Sequence, residues 1–257
     1  MKTKKEQPVS QDKSGLNVPH QESKPFKKNF VRLVTCELRF PVILGFEEKS
    51  KLPVELQAGL RREYPLYEKK VSVTLRPGAH EPVEEPRHFF LSKNKKWTIV
   101  FRPFSIALET ANYPDFEEFR RRLNSMVQAA KSTIDADFFT RVGLRYINVF
   151  PGKQEDLPGW INQDLVRPLV SGVFGEVEQI YQEARGRSDG GFFSIRHGFP
   201  GNEPPAAGGY LLDLDFYKEE VTSDELDQVV VKLHDACYDL FYWCIGEAAK
   251  AELSCAR

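Results

Sequence analysis

The stretch Arg141-Val-Gly-Leu-Arg-Tyr-Ile-Asn148 decides the fold, because it alternates like a β-strand and marks the point where the chain starts over. Successive side chains of an extended strand point to opposite faces, so Arg141 and Arg145 lie opposite Leu144 and Tyr146. A similar short strand, Leu38-Arg39-Phe40, occurs earlier in the chain. Each of these two strands is predicted to open one half of the protein.

Outward from this strand, the hydrophobic periodicity predicts the same order of elements twice. The halves cover residues 31–140 and 141–257, and each reads β-α-β-β-β-α. Strands are predicted at 31–40, 71–75, 88–91, 97–108, 141–149, 180–185, 192–199 and 210–217. Because hairpins join most of them, the predicted fold class is α+β, with tandem β-α-β-β-β-α halves, a mainly antiparallel sheet and helices packed on one face.

Two capping patterns locate the main helices. Asp115 with Glu118 fits an N-cap and its partner three residues later, and Thr222 with Glu225 repeats the pattern. The long apolar stripe after the second pair predicts a single terminal helix that forms the spine of the core. Shorter helices are predicted at 53–64 and at 161–174, the latter interrupted or restarted at Pro168, and a loop is predicted at 79–87.

Residues 1–30 differ in composition from the rest of the chain. They are rich in Lys, Gln, Ser and Pro and contain few large apolar side chains. Such a segment buries too little apolar surface to offset the entropy that it loses on ordering. We therefore expect a disordered basic tail.

The overall composition is that of a folded protein with balanced charge. The chain has 36 basic and 37 acidic residues, a net charge of −1 and 41% hydrophobic residues. Bulk charge gives no reason to expect nucleic acid or anionic lipid as the main partner. No apolar run approaches the roughly 20 residues that a membrane-spanning helix needs, and the first residues lack the apolar core of a signal peptide, so we expect a cytoplasmic protein with no membrane partner.

Alternation also collects charged residues on one face of the predicted sheet. That face holds Glu37, Arg39, Arg102, Arg141, Arg145, Arg185, Arg196, Asp213 and Asp215. The opposite, core face holds Leu38, Phe104, Leu144, Tyr146, Phe193, Ile195, Leu212 and Leu214. The charged face can recognise a carboxylate or another anion through the bidentate fork of guanidinium, or its charges can simply pair across neighbouring strands.

No pattern in the chain matches a catalytic or metal-binding site. Asp213 and Asp215 form an Asp-x-Asp, a spacing that holds a divalent cation only when other oxygens converge on it, and no third ligand lies nearby in sequence. The four cysteines lack the C-x-x-C spacing of zinc and redox motifs, which favours reduced, buried thiols. His197 falls in the apolar register and is expected to be a buried imidazole. We predict no cofactor, no metal and no enzymatic activity.

The central stretch also carries a resemblance. Together with Tyr113-Pro114, which precedes a helix containing Phe116 and Phe119, it resembles a sporadically distributed family of uncharacterised bacterial and archaeal proteins. The other matching segments are Phe40-Pro41 and Gly209-Tyr-Leu-Leu-Asp-Leu-Asp215, and the similarity spans residue 31 to the end. The resemblance implies a bacterial or archaeal protein and a context such as a mobile or antiviral defence locus, including CRISPR-associated ones.

The function predicted from these features is that of a non-enzymatic accessory or adaptor subunit that binds another protein. It would use the charged sheet face or the Gly/Pro-rich loop at 200–209. The alternative is an RNA- or nucleotide-binding protein, with Arg141, Arg145, Arg185 and Arg196 as phosphate contacts and aromatic side chains as stacking platforms. A hydrolase built around Asp213 and Asp215 is a third class.

Overall fold

A computed structural model of the protein describes residues 15–24, 26, 28–47, 51–74, 83–201 and 209–253. These residues form a nine-stranded sheet in which all neighbouring strands are antiparallel. The strands are β1 (Val31–Arg39), β2 (Leu66–Thr74), β3 (Val83–Leu91), β4 (Trp97–Arg102), β5 (Ser105–Thr110), β6 (Phe138–Pro151), β7 (Ile180–Ser188), β8 (Gly191–Phe199) and β9 (Gly209–Thr222). The prediction of an α+β fold with a mainly antiparallel sheet is confirmed.

The strands of the two predicted halves belong to this same sheet, whose order is β2-β3-β4-β5-β1-β6-β9-β8-β7. At its centre β1 pairs with β6, with Cys36 opposite Leu144 and Arg39 opposite Arg141. This pairing puts the two arginine-bearing strands that open the halves side by side. A duplication of the halves stays a prediction.

The first half has four strands after its first helix, where the sequence predicted three. The stretch 97–108 was expected to form one strand, but the chain reverses at Pro103 and Phe104, so that Arg102 pairs with Ser105. Proline has no N–H to donate to a strand ladder, which makes it a natural end to a strand. Phe104 lies half-buried in this turn, and its predicted place in the core is corrected accordingly.

The prediction of a loop through residue 87 is also wrong. Strand β3 begins at Val83, and Pro86 lies inside it, opposite Val71 of β2. Proline and several charged residues gave this segment the composition of a loop. Residues 79–82 lie outside the described residues.

The described residues form six α-helices and two short 3-10 turns, which pack on one face of the sheet. The helices are α1 (Val54–Leu60), α2 (Phe116–Ile134), α3 (Leu157–Trp160), α4 (Gln163–Val170), α5 (Leu226–Cys244) and α6 (Glu247–Leu253), and the turns are Leu44–Phe46 and Gln154–Asp156. Buried side chains of these helices and of the strands form one large hydrophobic core. The apolar side chains of α2 and α5 lie in this core, which explains the amphipathic spacing that predicted these two helices.

The first of the two predicted capping patterns is confirmed, and the second does not cap its helix. The carboxylate of Asp115 accepts a hydrogen bond from the N–H of Glu118 at 2.8 Å and caps α2. At the second pattern, the Glu225 carboxylate accepts hydrogen bonds from the N–H and the hydroxyl of Thr222. Helix α5 begins only at Leu226, and no side-chain hydrogen bond caps it, so the prediction of Thr222 as its N-cap is wrong.

The prediction of a single long terminal helix is wrong, because the chain leaves the helical conformation between α5 and α6. Ile245 is extended and bridges to Ile161, and the N–H of Gly246 donates to the carbonyl of Trp160 at 2.8 Å. The N–H of Asn162 in turn donates to the carbonyl of Cys244 at 2.8 Å. These main-chain hydrogen bonds replace the helical ones, so α6 starts in a new direction.

The helix predicted at 161–174 corresponds to α4. Asn162 caps it by accepting a hydrogen bond from the N–H of Asp164 at 3.0 Å. The helix runs through Pro168 and ends at Val170, so the predicted interruption at this proline is not found.

The described residues between 15 and 30 lie against the rest of the protein. The N–H of Gln21 donates to the carboxylate of Asp239 on α5 at 2.7 Å, and the His20 ring lies 3.1 Å from the same carboxylate. The apolar side chains that pack against the core here are Leu16, Val18, Phe26 and Phe30. The expectation of a disordered tail therefore does not hold for this part, because its few apolar side chains are placed on the core. Residues 1–14 lie outside the described residues.

Candidate functional site

The face of the sheet opposite the helices carries all nine charged residues that the sequence predicted. We call it the open face, because no described helix packs on it. The nine are Glu37 and Arg39 on β1, Arg102 on β4, Arg141 and Arg145 on β6, Arg185 on β7, Arg196 on β8, and Asp213 and Asp215 on β9. The alternation of the strands thus predicted their common face correctly.

At the centre of the open face, Glu37 links arginines from three strands. Arg39 donates to it at 2.7 Å, and the guanidinium nitrogens of Arg141 and Arg102 lie 3.6 and 3.9 Å from its oxygens. Arg141 also donates to Asp215 at 2.9 Å and lies over the ring of Tyr217 at 4.3 Å. The result is a network of alternating charges across the middle of the sheet.

Arg145 and Asp213 form a second, more buried pair beside this network. The guanidinium donates two hydrogen bonds to the carboxylate, at 2.7 and 2.6 Å, and the Asp213 side chain is only 5% exposed. The bond to Asp213 raises the pKa of Arg145. Burial raises the pKa of the neighbouring Asp215 carboxyl, although Arg141 and Arg145 oppose this effect.

The outer strands β7 and β8 carry the exposed part of the open face. Glu183 accepts hydrogen bonds from Arg185 at 2.8 Å and from Arg196 at 2.9 Å. The bond from Arg185, followed by that from Arg196, lowers the pKa of Glu183 to about 2. The Arg185 side chain is 68% exposed, and Tyr181 is 50% exposed on the same strand. Arginine and tyrosine side chains are therefore presented to solvent together.

The arginines engage both aspartates of the Asp-x-Asp, which counts against a cation site there. Within the described ranges, no group of three or more His, Cys, Asp or Glu side chains is arranged to hold a metal ion. The carboxylates of the Asp-x-Asp are therefore engaged by guanidinium groups of the same face.

The structure bears out the predictions for His197 and for three of the cysteines. The His197 ring is buried, and its Nδ1 lies 2.7 Å from the hydroxyl of Tyr210. Cys36, Cys237 and Cys244 are buried free thiols. Cys255 lies outside the described residues.

A cavity of 480 Å³ on the helix side of the sheet was not predicted from the sequence. It lies between residues 23–31, the start of α2, the middle of α5 and the central strands, and its lining includes Tyr146 and Asn148. The central stretch 141–148 thus contributes to both sides of the sheet, with its arginines on the open face and its tyrosine and asparagine at the cavity. No local motif marks the cavity, because its wall comes from segments far apart in sequence.

A chain of hydrogen-bonding groups runs along the wall of this cavity. The hydroxyls of Tyr113 and Tyr146 lie 3.3 Å apart, and the Tyr146 hydroxyl lies 3.0 Å from Nδ1 of His234. Nε2 of His234 lies 3.1 Å from the hydroxyl of Ser23, and the His234 ring stacks on Phe116 at 3.7 Å. Burial lowers the pKa of His234 to about 4, so the ring is neutral near pH 7 and donates from one nitrogen only.

The contact between Ser23 and His234 has the distance of a nucleophile and its base, but its surroundings do not favour catalysis. A base is effective when its pKa lies near the working pH, and the pKa of His234 is well below neutrality. A tyrosine hydroxyl, rather than a carboxylate that would stabilise the imidazolium, faces the other ring nitrogen. His234 is therefore poorly suited to act as a base near pH 7.

Comparisons with known proteins do not place the chain in a family. No protein-family model matches it, and no curated protein is significantly similar to it in sequence. The resemblance carried by the stretch 141–148 stays a prediction. Among the described helices, none is both long and apolar enough to cross a membrane.

Proposed function

We propose that the protein is a non-enzymatic accessory or adaptor subunit that holds another protein on the open face of its sheet. The observation that carries this proposal is that each of the six predicted arginines already has a carboxylate partner on that face. Such a surface is polar and directional but has little net charge. It suits a partner that offers both donors and acceptors, as a protein surface does.

The same observation counts against the alternative partner, a nucleic acid. Binding to a phosphate backbone depends on cations that can neutralise phosphates and release counterions. Here a phosphate would have to displace a carboxylate from an arginine or remain close to that carboxylate. Both situations cost free energy, so the open face is poorly suited to a polyanion.

The most accessible arginine and tyrosine of the face, Arg185 and Tyr181, lie on the edge strand β7. Residues of these types often dominate the binding energy of protein interfaces, because they combine large contact areas with directional hydrogen bonds. We infer that the partner contacts β7 and β8 first. Most of the loop at 200–209 that the sequence also suggested lies outside the described residues.

Charge reversal at Arg185 tests the proposal. The tagged protein is purified from its native host at low salt, as the wild type, as Arg185→Glu and as Arg121→Glu. Arg121 is a matched control, because it is 53% exposed and paired with a carboxylate but lies on α2, on the helix side. We expect a stoichiometric protein partner with the wild type and with Arg121→Glu, and at least a tenfold loss of it with Arg185→Glu.

Other outcomes would contradict the proposal. An equal loss with both variants would show a general effect of charge, and no loss with either would remove β7 from the interface. Copurifying nucleic acid that dissociates steeply with salt would favour the alternative function. The defence context implied by the resemblance would gain support only from the identity of the partner.

A further inference from the structure

The cavity on the helix side has the dimensions and the lining of a small-molecule site. Its volume of 480 Å³ lies within the range of roughly 300–1,000 Å³ that is typical of ligand pockets. Ser23, Lys24, Phe26, Asn29 and Val31 form one of its walls, and helices and strands form the others. The cavity lies on the opposite side of the sheet from the open face, so the inference below does not rest on the proposed function.

Aromatic rings make up much of the wall. The rings that line the cavity include Phe26, Tyr113, Phe116, Tyr146 and Phe241. Phe26 and Phe241 are tilted by 57° with their centroids 6.4 Å apart, and Tyr113 meets Tyr146 edge to face at 5.5 Å. The rings of the lining are therefore set at several different angles, and the electron-rich faces of aromatic rings attract cations.

The charges at the cavity also favour a cation. Its two basic side chains are paired with carboxylates that do not line it, Lys24 with Glu22 at 3.2 Å and Arg120 with Asp227 at 2.5 Å. The acidic side chains of the lining are Asp115, Glu117 and Asp235, and none of them forms an ion pair with another described residue. Asp115 caps α2, and no close ion pair within the described part of the chain neutralises Glu117 or Asp235, on which Arg120 and His20 act only at longer range.

The start of α2 could be expected to favour an anion instead, because the N-terminus of a helix carries a partial positive charge. Here that end already has three carboxylates. Asp115 caps it, and Glu117 and Glu118 lie in its first turn. These groups satisfy and offset the helix dipole, so they remove the reason for an anion to bind.

The polar groups of the wall indicate which kind of cation fits. The hydroxyls of Tyr113 and Tyr146, the ring nitrogens of His234 and the hydroxyl of Ser23 form a chain in which each group lies within hydrogen-bonding distance of the next. A primary ammonium would need acceptors from this set for its three N–H groups. A methylated ammonium has few or no N–H groups and needs mainly ring faces and a nearby negative charge.

We propose that this cavity binds a compact quaternary or fully methylated ammonium group, held by the aromatic rings and by the carboxylates of Glu117 and Asp235. The chemical class is that of choline and tetramethylammonium. Binding is noncovalent and involves no chemical step.

Calorimetric titration of the full chain with choline tests this directly, and 3,3-dimethylbutan-1-ol provides the control. This alcohol has the shape of choline with carbon in place of the charged nitrogen. We expect choline and tetramethylammonium to bind, and the neutral alcohol to bind at least about tenfold more weakly, because the rings and carboxylates act on the charge. No binding of either cation, or equal binding of choline and the alcohol, would overturn the proposal.

Two variants place the binding in the cavity. Asp235→Asn removes a carboxylate of the lining without changing its shape, and Asp224→Asn is the control, because Asp224 is exposed and does not line the cavity. We expect Asp235→Asn to weaken choline binding at least threefold and Asp224→Asn to leave it unchanged. Phe116→Leu should weaken choline binding by more, in a protein whose thermal unfolding shows that it is folded. Unchanged binding in both cavity variants would mean that choline binds elsewhere.

Discussion

At the scale of single residues, we expect the ion pair between Arg145 and Asp213 to contribute more to stability than to the binding of a partner. Replacing Arg145 by alanine would leave a carboxylate that is only 5% exposed without its bidentate donor. Because the Arg145 side chain is itself 40% exposed, water can replace part of the interaction, and we expect a loss of about 2 kcal/mol in the free energy of unfolding. Urea denaturation measures it.

The matched comparison is Arg185→Ala, which removes an exposed arginine from an exposed carboxylate. Its effect on the free energy of unfolding should be too small to resolve by urea denaturation, since exposed ion pairs contribute little. Equal destabilisation by the two substitutions would contradict the difference in burial. The same contrast explains why Arg185, rather than Arg145, is suited to a test of binding.

Strand alternation was enough to assign the nine charged residues to one face, but not to identify their ion-pair partners. Arg145 lies directly opposite Asp215 in the β6–β9 ladder, yet its hydrogen bonds go to Asp213. Partners of this kind depend on the register of neighbouring strands and on the direction of long side chains. Neither the register of the strands nor the direction of the side chains can be derived from a single sequence.

At the scale of elements, the break between α5 and α6 depends on Gly246. A Cβ atom at this position would lie 2.2 Å from the carbonyl oxygen of Gly159, an atom of the main chain. We expect Gly246→Ala to lower the free energy of unfolding by about 2 kcal/mol or more, because the two segments would have to move apart. Thermal or urea unfolding measures this, with Gly15→Ala, where a Cβ meets open space, as the control. Unchanged stability would show that the contact is not needed.

This break could not be predicted, because the apolar spacing continues across it. Ile245 is buried just as a helical residue of the stripe would be. What ends the helix is a set of main-chain hydrogen bonds to residues 160–162, which lie far away in sequence. Asp115, by contrast, was predicted correctly as a cap, because its partner Glu118 is only three residues away.

At the scale of the whole molecule, three buried histidines make stability depend on pH. Burial lowers the pKa of His88, His197 and His234 to about 4 each, whereas the unfolded value is near 6.5. The unfolded chain therefore binds more protons, and stability is full above pH 6.5 and falls as the pH drops towards 4. Each histidine should lower the free energy of unfolding by about 2 kcal/mol at pH 5 relative to its value at neutral pH.

The variant His88→Phe tests this dependence. Tyr67 faces Nδ1 of His88 at 2.8 Å, and Nε2 is buried with no hydrogen-bond partner among the described residues. The free energy of unfolding of the variant, measured between pH 4.5 and 7, should fall less steeply than that of the wild type. Parallel curves would show that His88 is not protonated on unfolding.

A binding site that is assembled by the whole molecule is harder to predict from sequence than one that follows single strands. The open face was predicted because its residues follow the period of single strands. The cavity was not, because Ser23, Tyr113, Tyr146 and His234 come from four distant segments and meet only after the sheet and helices have formed. Neither the types of these residues nor their spacing in the sequence indicates that they come together in the fold.

Native mass spectrometry of the protein purified at low salt, compared between the wild type and Arg185→Glu, tests the central proposal most directly. We expect the wild type to appear as a complex with a protein in a fixed ratio, and Arg185→Glu to appear largely without it. A wild type that carries nucleic acid, or one whose protein partner is retained in full by Arg185→Glu, would contradict a protein-binding role for the open face.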